Sequence, residues 1–126
     1  MTNSTPHVIS IWLVDPVGGI FVDWPPNTDD AYIYDQTLIP RALATHTART
    51  LGLPILNTLD DPNSTFWVPH DQLAALLGEC ANIASASASI ASEAEIPVDD
   101  LNLNFNRIRS AANHAMSIQD AGVCIT

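Results

Sequence analysis

The seven-residue phase that runs from residue 69 to residue 92 constrains this chain more than any other feature. Leu73, Leu76, Leu77, Cys80, Ile83, Ala84, Ser87, Ile90 and Ala91 recur at the i, i+3, i+4, i+7 spacing of an amphipathic helix. Pro69 opens the segment and Ile96-Pro97 breaks it. Its second half reads Ala-Ser-Ala-Ser-Ala-Ser-Ile-Ala-Ser, which as pure composition would suit a flexible linker. Alanine is the best helix former, and the phase continues through the run, so one helix is expected over residues 72–92.

A second helix is expected over residues 100–119. Leu101, Phe105, Ile108, Ala112, Ala115 and Met116 form its stripe, Asp99 or Asp100 is its cap, and Gly122 ends it. The connector at 93–98 is short enough to make the two helices antiparallel neighbours.

The N-terminal half reads differently. Residues 8–14 alternate Ile9, Ile11 and Leu13 with Val8, Trp12 and Val14, a strand apolar on both faces. Asp15-Pro16-Val17-Gly18-Gly19 has the chemistry of a turn, and residues 20–24 return as a second strand. Residues 31–39 suit either strand or helix. From Pro40 onward, Ala42, Leu43, His46, Thr47 and Leu51 have helical spacing that Gly52 and Pro54 stop. Residues 55–59 and 65–68 flank Asp60-Asp61-Pro62-Asn63-Ser64, which predicts a second hairpin, and residues 123–125 predict a last short strand. The expected order is β-β-α-β-β-α-α-β. That is a single α+β domain over residues 1–126, with two β-hairpins and three helices. Trp12, Trp24 and Trp67 all fall on expected strands, and at least two of them are expected to anchor the core between sheet and helices.

Charge narrows the function. The 126 residues carry four Lys+Arg against 14 Asp+Glu, a formal charge of −10. The four cations are Arg41, Arg49, Arg107 and Arg109, and lysine is absent. A Schiff-base lysine and a phosphate-binding P-loop lysine are therefore excluded. The acidic balance opposes binding to nucleic-acid phosphates and to anionic lipid. No metal or cofactor is expected, because His7, His46, His70 and His114 have no ligand-pair spacing. The N-terminal residues lack a basic n-region and a long apolar core, which predicts a cytoplasmic protein. Cys80 and Cys124 are then reduced thiols, and export by a route without a cleaved signal would permit a disulfide between them.

A short, acidic, single-domain chain without a catalytic motif resembles the bacterial immunity proteins in profile. The resemblance implies a binding module that neutralises a basic partner, such as a toxin or enzyme, by covering its active site. Its physical logic is electrostatic steering, with carboxylates standing in for phosphates. The loop acids Asp15, Asp29, Asp30, Asp60 and Asp61 are the candidate partner-binding residues. Two other readings follow in order. One is a structural protein that forms a homodimer through the Ala/Ser-rich helix. The other is a small enzyme using His46, Arg49 and a carboxylate.

Overall fold

The computed structural model describes residues 7–13, 18–22, 24, 32–33, 38–60 and 66–125. Strand β1 (His7–Leu13) pairs antiparallel with β2 (Ile20–Val22), with Ile11 opposite Val22 and Leu13 opposite Ile20. The expected N-terminal hairpin is therefore present. A two-residue strand, β3 (Tyr32–Ile33), pairs with the start of β1 and resolves part of the ambiguous stretch as extended. Strand β4 (Phe66–Val68) and strand β5 (Ala121–Ile125) complete a five-stranded antiparallel sheet in the order β2-β1-β5-β4, with β3 against β1. The architecture is α+β.

The C-terminal segment becomes the central strand. All five residues of β5 are buried, and β1 and β4 flank it. The register puts Ile9, Ile11, Val123, Ile125, Phe66 and Val68 on one face, all of them buried. The helices cover that face. Helix α5 (Val98–Met116) lies against β5 and β1 through Leu101, Phe105, Ile108, Ala112 and Ala115. Helix α3 (Leu73–Ser85) packs in turn on α5 through Leu73, Leu76, Cys80 and Ile83.

The second hairpin is not formed. Residues Leu56–Asp60 make a 3₁₀ turn, and β4 pairs with β5 instead. The cause is a carboxylate from α3. Buried Glu79 accepts the backbone N–H of Leu56 through Oε1 at 2.8 Å and that of Ile55 through Oε2 at 3.1 Å. It thereby satisfies the donors that a strand ladder would have used.

The long helix is also broken. It stops at Ser85 and resumes as α4 (Ser87–Ala94), the two pieces bent by 73°. At the break the Ala86 N–H is shared between the carbonyls of Asn82 and Ile83, and the Ser85 hydroxyl donates to Asn82 O at 2.9 Å. Serine hydroxyls that compete for helical carbonyls bend helices, and small neighbours supply no packing to resist. The bend lets Ile90, Ala91 and Ala94 reach the core.

The Pro40 helix likewise divides. Helix α1 (Leu38–Leu43) holds Pro40 in its first turn, where a missing N–H removes no bond. Thr45 then caps α2 (His46–Leu51), its hydroxyl accepting from Ala48 N at 3.2 Å. Arg41 on α1 donates to Ala94 O at 2.6 Å and Glu95 O at 3.1 Å, closing the C-terminus of α4. Pro97 rather than an aspartate is the N-cap of α5, and Asp99 and Asp100 sit in its first turn, beside the helix's positive end. Gly122 does not end α5. It is a residue of the central strand.

Candidate functional site

Of the five loop acids singled out in the sequence, Asp15, Asp29, Asp30 and Asp61 lie outside the described residues. Asp60 is the last residue of the 3₁₀ turn. Two other carboxylates are brought together instead. The β4–β5 ladder ends at Val68 opposite Val123. Asp71, in the 3₁₀ turn His70–Gln72 that follows β4, and Asp120, just before β5, lie at that end of the ladder. Both are exposed and line an open cleft of about 360 Å³ together with Pro69 and His70. The two come together only in the folded chain, so nothing local in the sequence announces them.

His70 is oriented within this cleft. Its Nδ1 lies 2.9 Å from Ala121 O. A carbonyl only accepts, so Nδ1 is the donor in this contact. Asp120 has φ 64°, a left-handed conformation that aspartate tolerates better than most side chains. The cleft thus offers two carboxylates and an imidazole, and among the described residues no lysine, arginine or cysteine lines it. Chemically it suits a positively charged hydrogen-bond donor.

Beside the cleft lies the sheet face turned away from the helices. Trp12 and Trp67 project from it by strand alternation, as does Phe21, which is opposite Trp12. The Trp12 and Phe21 rings meet edge to face, with centroids 5.5 Å apart. The Trp12 indole N–H donates to Ser10 Oγ at 3.0 Å, which fixes the ring's direction. Trp67 lies over Gly122 so closely that a Cβ there would fall 2.5 Å from its Cη2. Trp24 alone packs on the helix side. Its N–H donates to Ile9 O at 3.3 Å, and its ring faces His114 of α5. The expectation of two core-anchoring tryptophans is thus corrected to one, because alternation turns Trp12 and Trp67 outward.

Comparison with protein-family models, with curated proteins and with solved structures finds no match. What the chain binds must therefore be argued from its own side chains.

The cations are segregated from this face. All four arginines lie on helices, Arg41 on α1, Arg49 on α2, and Arg107 and Arg109 on α5. Arg41 is committed to the backbone carbonyls at the end of α4, and Arg107 donates to Tyr32 O at 2.7 Å. The His46–Arg49 pair is exposed on α2, with Glu93 beside it. Glu93 is already used. It accepts the Thr47 N–H at 3.1 Å and the Thr47 hydroxyl, tying α4 to the N-terminus of α2. Among the described residues no three His, Cys, Asp or Glu side chains converge on a metal position.

The Thr47 bonds hold the Glu93 carboxyl below its ordinary value of 4.5. A depressed acid contributes stability above its unfolded value and loses it as pH falls through the folded one. The Thr47 amide signal should therefore titrate with a midpoint below 4.5, and Glu93→Gln should abolish the inflection. A Thr47 signal that titrates with a midpoint at or above 4.5 would contradict the tie.

Both cysteines are free and buried. Burial, with Glu79 nearby, pushes the Cys80 thiol up to about 12, and burial raises Cys124 as well. Neither is a nucleophile near neutral pH. Among the described residues no single helix is long and apolar enough to cross a membrane.

Proposed function

We propose that this chain is a binding module that docks on a basic protein and acts by covering it, as an inhibitor or immunity protein does. One observation carries the reading. The chain's few cations are all placed on the helices, two of them engaged with backbone carbonyls, while two carboxylates converge in an open cleft beside an aromatic sheet face. Two carboxylates that line one cleft repel each other, and a positive group bound there offsets that repulsion. A lysine or arginine of a partner supplies that group. The net charge of −10 steers such a partner toward the chain before contact.

The test immobilises the chain in extract of its source cell, at about 0.02 M and about 0.3 M salt, since screening shortens steeply over that range. Proteins retained at low salt and released at high salt should have basic isoelectric points. The purified partner should lose its activity at a one-to-one ratio. An acidic partner, or a basic one left fully active when saturated, would overturn the reading. Turnover of a small molecule that depends on His46 or Arg49 would replace it with the enzyme.

A further inference from the structure

We infer that the sheet face turned away from the helices, centred on Trp12, Phe21 and Trp67, is the docking surface, and that its occupant is an arginine-bearing patch of the basic partner. The inference rests on the proposed function and adds to it the place and the chemistry of contact.

The face has the composition of a binding core. Phe21 is 52% exposed on β2, a strand of three residues. Trp12 and Trp67 are each partly exposed. The Trp12 indole N–H is bonded to Ser10, and the Trp67 ring packs over Gly122. Rigid tryptophans are the side chains that most often dominate binding energy, because they bury large area with little rotamer entropy left to lose.

Charge decides the occupant. The arginines lie on the opposite layer, and Asp71 and Asp120 stand at the end of the ladder that carries Trp67. A guanidinium can stack on an indole face and at the same time bond a carboxylate in two places. Lysine, a compact and strongly hydrated charge, gains less from such a surface. A second copy of this chain would bring another −10 to the same place, so like charge opposes self-docking here.

The experiment follows the three indole N–H signals of the ¹⁵N-labelled full chain, assigned with single Trp→Phe variants. The probes are nona-arginine and nona-lysine peptides at low salt. Nona-arginine should move the Trp12 and Trp67 signals and leave Trp24 still, since Trp24 faces the helices. It should bind about threefold or more tighter than nona-lysine, the margin expected of stacking. Phe21→Ala should weaken it about fivefold, and the joint Asp71→Asn, Asp120→Asn change should weaken it similarly. Asparagine keeps the left-handed backbone at 120, and an unchanged Trp24 signal certifies that each variant is folded. Binding that moves helix-layer amides while Trp12 and Trp67 stand still overturns the surface and spares the proposed function. No binding of either peptide overturns both. A dimer in sedimentation that shields the two indoles makes a second copy the occupant and overturns the inference.

Discussion

Replacing Ile83 by aspartate should leave the chain without a cooperative thermal transition. Ile83 is 1% exposed, on the α3 stripe that packs on α5, one turn before the helix bends. Losing the buried isoleucine forfeits about 2–3 kcal/mol of burial. The new carboxylate then sits in an apolar layer without a partner, at a further cost of several kcal/mol. A domain of this size is stable by roughly 5–15 kcal/mol in total, so the sum exhausts most or all of it. The graded version is Ile83→Ala, which removes the side chain without adding charge. It should cost about 2–5 kcal/mol, the usual range for such truncations in a core. In a melt followed by circular dichroism that amounts to roughly 10–20 °C. A shift of a degree or two in Ile83→Ala would mean that α3 does not bury this face.

The other large effect is expected at Gly122. A Cβ built there lies 2.4 Å from Val68 O, 2.5 Å from Trp67 Cη2 and 2.8 Å from Trp67 Cζ2. The indole can swing away, but the Val68 carbonyl belongs to the adjacent strand and yields only if the ladder shifts. Gly122→Ala should therefore cost about 3 kcal/mol, at the upper end of what overpacking does. It should also move Trp67 toward water, a red shift in fluorescence that a Trp12→Phe, Trp24→Phe background isolates. Gly78 provides the contrast. It is exposed on α3 with nothing within 4 Å of its Cβ position. Alanine there should stabilise by about 0.5–1 kcal/mol, because it is the better helix former. Equal effects at the two positions would contradict the close approach at Gly122.

These two sites also mark how far the sequence could be read. Leu76, Ile83 and Ile90 announce burial by spacing alone, and all three are buried. Their common phase does not announce the bend at Ala86, because serine competition for carbonyls and weak packing act below the level of apolar periodicity. The N-terminal hairpin was legible from its turn chemistry and from two flanking apolar runs. The second hairpin looked equally legible and is absent, because Glu79, distant in sequence, binds the N–H groups of Ile55 and Leu56. Local signals cannot weigh a long-range carboxylate against a local ladder. The same limit hides the cleft. Asp71 and Asp120 are 49 residues apart in sequence and line one cleft only because β4 pairs with β5. Trp67 reads as a core residue until Gly122, on the neighbouring strand, gives it an outward seat.

The central claim is that an anionic surface meets a basic protein, and its most direct test is the association rate against ionic strength. With the captured partner purified, kon should fall at least tenfold between about 0.01 M and about 0.3 M salt, as opposite charges are screened from each other. The dissociation rate should change little, because salt acts mainly on the encounter. An association rate constant across that range, or one that rises with salt, would contradict the account.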